Sequence, residues 1–88
     1  MRVIVKQEHI DKGLPYECTV CPIALALQEY TGQQWQVQVC TAYSPRTPTT
    51  YYRLPPEASR FIHAFDKGEP VAPFEFDLLP LTAEGRSC

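Results

Sequence analysis

The sequence lacks any apolar run of about 18 residues, the length that a membrane-spanning helix needs. Met1 leads directly into a short strand-like segment, without the apolar stretch of a secretory signal, so we expect a protein of the reducing cytosol. The formal net charge is −2, whereas bulk binding of nucleic acid requires a basic surface. We therefore expect a cytosolic protein without a membrane or bulk nucleic acid as its partner.

Several enzyme motifs are also missing. The chain has no Gly-rich phosphate loop, no Gly-x-Ser-x-Gly motif and no pair of carboxylates arranged for acid–base catalysis. His9 and His63 have no obvious nucleophile partner by spacing. These absences argue against a conventional hydrolase or nucleotide-transfer enzyme, and we expect a protein that is not an enzyme.

A chain of this length can bury one small hydrophobic core. The 88 residues correspond to a single domain, for which we take residues 1–80. Residues 81–88 are polar and end in Cys88, and we expect them to form a disordered tail with a free terminal thiol.

Three segments carry helix signals. Residues 7–12 form one or two turns that Gly13 stops, and the next helix starts with Pro22 and closes at Gly32. A third helix starts at Pro56 and ends at Gly68, and its apolar residues recur at helical spacing. The expected buried faces of the second and third helices comprise Ile23, Ala26, Leu27 and Tyr30, and Ala58, Phe61, Ile62 and Phe65, respectively.

Strand signals fill the remaining segments. Residues 2–6 are rich in β-branched side chains, and 74–78 alternate apolar with acidic residues. Alternation over 34–41 predicts a half-buried strand with Trp35, Val37, Val39 and Thr41 on one side. The turn residues 44–48 and the β-rich residues 49–54 predict a hairpin. The order β-α-β-β-α-β indicates an α+β domain, ferredoxin-like, with one antiparallel sheet and two helices on one face.

Cys18 and Cys21 form a Cys-x-x-Cys motif directly before a helix. Backbone N–H groups at a helix start lower thiol pKa values, which favours thiol redox chemistry. The same pair is half of a zinc site, whose other ligands would be Cys40 with His9 or His63. In the third interpretation both cysteines pack as small apolar residues.

A second group of residues is basic and aromatic. No acidic residue occurs between Tyr30 and Pro56, while the C-terminal segment is acidic. Arginine beside tyrosine is typical of interface hot spots and base-stacking sites, and positive charge attracts phosphate or an acidic partner surface. The alternative is a solvated helix face that Glu57 and Asp66 neutralise. The candidate ligand-binding or partner-binding residues are Tyr51, Tyr52, Arg53, Arg60, His63 and Lys67, with Arg46 in the preceding loop.

The predicted strand over 34–41 carries the uncharged amides Gln34, Gln36 and Gln38 on its other side. A neutral strand lacks the charges that normally prevent one strand edge from pairing with another copy. This pattern predicts homo-oligomer formation through the strand, and the alternative is an exposed sheet face that happens to be neutral.

Two segments resemble a known group of proteins. Residues 21–27 read CPIALAL, and residues 54–68 read LPPEASRFIHAFDKG and lead into PFEF at 73–76. They are similar to small uncharacterised accessory proteins of tailed bacteriophages and prophages. The resemblance implies expression in the cytoplasm of a bacterial host, and it supplies no catalytic or binding residue.

The leading hypothesis is a non-enzymatic binding protein that antagonises host antiviral defence. It would block a host defence protein or sequester a nucleotide second messenger, with tyrosine stacking on the base and arginine contacting phosphate. The alternatives are a zinc-binding or thiol-redox module built on Cys18 and Cys21, and a phage structural or assembly accessory protein.

Overall fold

Helices form where the sequence has clear start and stop residues. The computed structural model describes residues 1–38, 41–44 and 51–80, and its helices are α1 (Gln7–Lys12), α2 (Pro22–Thr31) and α3 (Pro56–Asp66). Gly32 closes α2 with a φ of 73°, and Gly68 follows α3 with a φ of 78°. Glycine adopts these left-handed conformations without the steric penalty of a Cβ, which is why both helices end where the sequence predicts.

The strands form two antiparallel sheets. They are β1 (Arg2–Val5), β2 (Gln36–Val37), β3 (Thr41–Tyr43), β4 (Tyr51–Arg53), β5 (Phe74–Asp77) and β6 (Leu79–Pro80). Within the described ranges β1 pairs with β5, and the second sheet has the order β2-β3-β4-β6. The α+β class and the hairpin between β3 and β4 are confirmed. The expectation of one sheet is wrong for the described residues, whose strands form two sheets.

Leu78 joins the two sheets. The backbone N–H of Leu78 donates to the Met1 carbonyl at 2.7 Å, and the Met1 amino group donates to the Leu78 carbonyl at 2.9 Å. The next residue, Leu79, already belongs to β6 in the other sheet. A chain that passes from one sheet to another forms a corner of the fold. The Leu78 side chain lies inside this corner, fully buried.

The core lies between the helices and the inner faces of the sheets. On β1 the burial alternates, so that Val3 and Val5 face the buried residues Ile23 and Leu27 of α2. The helix α3 packs on β5 through a column of phenylalanine rings, in which Phe61 and Phe74 have centroids 4.7 Å apart. Burying such side chains contributes about 1.5–3 kcal/mol each to folding.

Two details of the sequence prediction are wrong. The helical spacing predicts Tyr30 on the buried face of α2, but Tyr30 lies in the last turn of the helix and is 66% exposed, whereas Ala24 is buried. The strand predicted over 34–41 is wrong beyond Val37: β2 ends there, the Gln38 N–H donates to the Thr41 carbonyl, and Thr41 begins β3, which pairs antiparallel with β2. Trp35 and Val37 are buried as expected, while Thr41 is only half-buried.

Some predictions fall on residues that are not described. Val39, Cys40, Arg46 and the tail 81–88 with Cys88 lie outside the described ranges. Within those ranges, no helix is both long enough and apolar enough to cross a bilayer.

Candidate functional site

The four-stranded sheet has an inner and an outer face, and the register assigns each side chain to one of them. Val37, Ala42 and Tyr52 stand opposite one another along the inner face. Because side chains alternate along a strand, the neighbours of Tyr52 point the other way. We call the opposite side the outer sheet face; it carries Gln36, Thr41, Tyr43, Tyr51, Arg53 and Leu79.

Aromatic rings and one arginine dominate the outer sheet face. The Tyr43 and Tyr51 rings have centroids 5.1 Å apart with an interplanar angle of 53°. The Tyr43 hydroxyl donates to Gln36 Oε1 at 2.6 Å, which fixes the position of that ring. Arg53 lies two residues from Tyr51 on the same face, is exposed, and has no ion-pair partner among the described residues. The face therefore combines flat apolar surface with one uncompensated positive charge.

The structure separates the six predicted ligand-binding residues into three groups. Tyr51 and Arg53 share the outer sheet face. Tyr52 faces inward, where its ring lies 5.5 Å from that of the buried Trp35. The third group comprises Arg60 and His63 on α3 and Lys67 directly after its end, and all three are exposed.

Cys21 is a structural cap of α2. Its Sγ accepts a hydrogen bond from the Ala24 N–H at 3.4 Å, and the side chain is buried. Burial raises the pKa of the Cys21 thiol to about 11 and outweighs the backbone N–H groups of Ala24 and Ile23, which lower it. The expected lowering of this pKa is therefore wrong. The thiolate is the nucleophilic form of cysteine, so the raised pKa argues against thiol redox chemistry at Cys21.

Cys18 lies at the edge of an open cleft. It is exposed, and the cleft of about 250 Å³ beside it is lined by apolar residues such as Val37 and Ile62 and by the carboxylates of Glu17 and Asp66. Asp66 is already engaged, since its Oδ1 accepts the Tyr16 N–H at 2.9 Å. No third metal ligand gathers around Cys18 and Cys21 within the described ranges, and Cys40 lies outside them.

One group of three possible metal ligands does occur in the described part of the chain, namely Glu8, His9 and Glu29. His9 is buried and its Nδ1 accepts the Lys6 N–H at 2.9 Å. Because Nδ1 uses its lone pair there, the neutral ring carries its proton on Nε2, which lies 3.6 Å from Glu29 Oε1. A protonated nitrogen cannot ligate a metal.

The positive charge that faces the carboxylates of Glu8 and Glu29 is the Lys6 ammonium group. Lys6 Nζ lies 2.9 Å from Glu29 Oε2 and 3.8 Å from Glu8 Oε1. The hydrogen bond from Lys6 lowers the pKa of Glu29, and the same contact raises the pKa of Lys6. The group is therefore an ion-pair network that ties α1 to α2, and it does not fit a metal site.

Sequence reasoning missed Tyr43 and Leu79 as members of the outer sheet face. The prolines that follow Tyr43 in the sequence predict a loop at this position, whereas Tyr43 belongs to β3 and pairs with Tyr51. Leu79 is 60% exposed and pairs with Arg53. A tyrosine at each end of a predicted hairpin loop was the available signal for a cross-strand aromatic pair.

Comparisons of the chain with protein-family models, with curated protein sequences and with solved structures found no match. The resemblance to phage accessory proteins therefore stays a prediction, carried by the two sequence segments alone.

Proposed function

We propose that the protein is a non-enzymatic binding protein whose outer sheet face holds a nucleotide. The observation that carries the proposal is the ring pair of the half-buried Tyr43 and the exposed Tyr51 beside Arg53. Aromatic rings stack on bases, and a guanidinium can contact phosphate oxygens with two parallel hydrogen bonds. The paired positions of this face contain no carboxylate that would repel a phosphate.

The resemblance to phage proteins suggests the biological setting. In the cytoplasm of a bacterial host, the ligand would be a nucleotide second messenger, such as a cyclic nucleotide, that activates antiviral defence. Holding the messenger would keep it from its effector without any chemical step. Binding and blocking a host defence protein through the same surface is the competing version of this function.

Calorimetry with a panel of cyclic nucleotides tests the proposal. Tyr51→Ala removes one stacking ring and should weaken binding by about 5- to 150-fold, which corresponds to about 1–3 kcal/mol per stacked base. Arg53→Gln should weaken binding by a similar factor because it removes a charge-assisted contact to phosphate. Tyr16→Ala is the matched control, since Tyr16 is an exposed tyrosine on a different surface.

Two outcomes would contradict the proposal. If no nucleotide releases or absorbs heat, the sequestration version fails and the blocking of a defence protein remains as the competing version. If a nucleotide binds equally well to the wild type and to both outer-face variants, another surface binds it. The variant Arg60→Gln then tests the basic residues of α3 directly.

A further inference from the structure

The cleft beside Cys18 has an apolar floor and an acidic rim. Three of its lining residues are almost completely buried and form the floor, namely Cys21, Val37 and Ile62. Glu17 is exposed and Asp66 is half-buried, so their carboxylates lie at the rim. Pockets for drug-sized ligands have volumes of about 300–1,000 Å³. This cleft of about 250 Å³ therefore fits a smaller molecule.

The negative charge at this rim has no partner within the described ranges. Neither Glu17 nor Asp66 forms an ion pair with another described residue, and none of the described residues that line the cleft is basic. Lys67 follows Asp66 in the sequence, but consecutive residues of a helix point in different directions, and Lys67 does not line the cleft. The rim therefore carries two charges that a bound cation can neutralise.

The position of Asp66 at the end of α3 increases the negative potential. The C-terminal end of a helix carries a partial negative charge from its backbone carbonyl groups, so a carboxylate is unfavourable there and a cation is favourable. The charge of Asp66 also acts inside the cleft. Burial is the main cause of the raised pKa of the Cys21 thiol, and the charge of Asp66 raises this pKa further. A cation at the rim would be stabilised by the carboxylate and by the helix end together.

Tyr16 places an aromatic ring at the same rim. It lines the cleft and is 76% exposed. Its φ of 62° is uncommon for a residue with a Cβ, and the Asp66 carboxylate holds this conformation by accepting the Tyr16 N–H. Residues in such conformations cluster at active sites and ligand-binding sites. The face of an aromatic ring attracts cations, so the ring and the two carboxylates favour the same charge.

We propose that this cleft binds a small aliphatic amine in its protonated form. The alkyl chain would lie against Val37 and Ile62, and the ammonium group would contact the carboxylates of Glu17 and Asp66. Asp66 can make this contact without releasing Tyr16, since Oδ1 accepts the Tyr16 N–H and Oδ2 accepts no hydrogen bond from the described residues. The binding is independent of a nucleotide at the outer sheet face.

The polarity of the cleft favours a free amine over a lysine of a partner protein. A free amine can enter with its alkyl chain first and leave its ammonium group at the acidic rim. A lysine side chain has to enter with its ammonium group first, because the other end of its alkyl chain is attached to a backbone outside the cleft. Its charge would then lie against Val37 and Ile62, and burial of a charge among apolar groups is costly.

An NMR titration with alkylammonium salts, observed at the methyl groups of Val37 and Ile62, tests the proposal. n-Butylammonium should shift these signals saturably, and each methylene added from methylammonium onward should tighten binding by up to about fourfold. n-Butanol has the same chain without the charge and should bind at least about tenfold more weakly. N-acetyl-lysine methylamide should also bind at least about tenfold more weakly than n-butylammonium, because its ammonium group would have to enter first.

Substitutions of carboxylates by amides separate the charge of the rim from the shape of the cleft. Asp66→Asn keeps an Oδ1 that can accept the Tyr16 N–H, and it should weaken n-butylammonium binding at least about tenfold. Glu17→Gln should act in the same direction, and it leaves the contact between Asp66 and Tyr16 intact. Asp11→Asn is the matched control, since Asp11 Oδ1 also accepts an N–H, that of Gln7 Nε2, and lies outside the cleft. The control should bind n-butylammonium as the wild type does.

Four results would overturn the proposal. Without a saturable shift at Val37 and Ile62, the cleft does not bind amines. If n-butanol binds as tightly as n-butylammonium, or if both amide variants at the rim bind it as tightly as the wild type, the carboxylates do not select a cation. Binding of the lysine derivative as tight as that of n-butylammonium would assign the cleft to a partner's lysine. Circular dichroism verifies that each variant is folded.

Discussion

Raising the pH above 9 should destabilise this protein through one buried thiol, that of Cys21. In the unfolded chain this thiol ionises at its ordinary pKa of 9.0, whereas burial raises the pKa to about 11 in the folded protein. Between these values the unfolded state has lost a proton that the folded state keeps. The free energy of unfolding therefore falls as the pH rises from 9 to 11 and levels off above 11.

The expected loss is large for a domain of this size. A difference of two between the folded and unfolded pKa values corresponds to about 3 kcal/mol. Small domains have total stabilities of about 5–15 kcal/mol, so this single group would remove a substantial fraction. Below pH 9 the thiol is protonated in both states, and its full contribution to stability is present.

Urea denaturation at several pH values across this window measures the effect. Cys21→Ser is the informative variant, because its hydroxyl can still accept the Ala24 N–H but does not ionise in this range. Its stability should fall by about 3 kcal/mol less than that of the wild type between pH 9 and 11. All other ionisable side chains are the same in both proteins, so their contributions cancel in the comparison.

Cys18→Ser is the matched control, since Cys18 is exposed and belongs to the same motif. It should lose as much stability as the wild type over this window. If the wild type and Cys21→Ser lose stability in parallel, the Cys21 thiol is not held protonated by burial and the reasoning fails.

Two further predictions compare variants at related positions. Leu78→Ala should lower the free energy of unfolding by about 2–5 kcal/mol because it opens a cavity at the corner between the sheets, whereas Leu79→Ala should change it by about 0.5 kcal/mol or less. Equal losses in urea denaturation would show that the Leu78 side chain does not fill the corner between the two sheets. Tyr16 has a φ of 62°, so Tyr16→Gly should raise the melting temperature by relieving strain, while Tyr30→Gly in α2 should lower it. A lower melting temperature for Tyr16→Gly would contradict the assigned backbone conformation.

The sequence predicts the helices well because their boundaries depend on local chemistry. Pro22 and Gly32 delimit α2, and Gly68 follows α3, each through conformations that a single residue favours or forbids. The end of β2 at Val37 has no such marker, since the sequence between Gln38 and Thr41 includes no glycine, proline, asparagine or aspartate. Alternation therefore predicts one long strand where the chain reverses direction.

The candidate surface was only partly predictable for a related reason. Tyr51, Tyr52 and Arg53 are adjacent in sequence, but alternation along a strand sends Tyr52 to the opposite face from its neighbours. The second tyrosine on the outer sheet face is therefore Tyr43 and not Tyr52. Tyr43 lies beside Tyr51 only because of the register between β3 and β4. Register depends on pairing between distant residues, which composition and spacing within one segment do not encode.

The pairing of Met1 with Leu78 also determines when the protein can finish folding during its synthesis. The two residues are 77 positions apart, so the first strand emerges from the ribosome long before its partner exists. At about 5–20 residues per second, synthesis of the intervening chain takes about 4–15 s. Throughout that interval both edges of β1 are unpaired, and neither sheet can be completed. Folding of the sheets is therefore delayed until the last strands have been made, and an arrested chain would leave the backbone groups of β1 that pair with β5 without their partner.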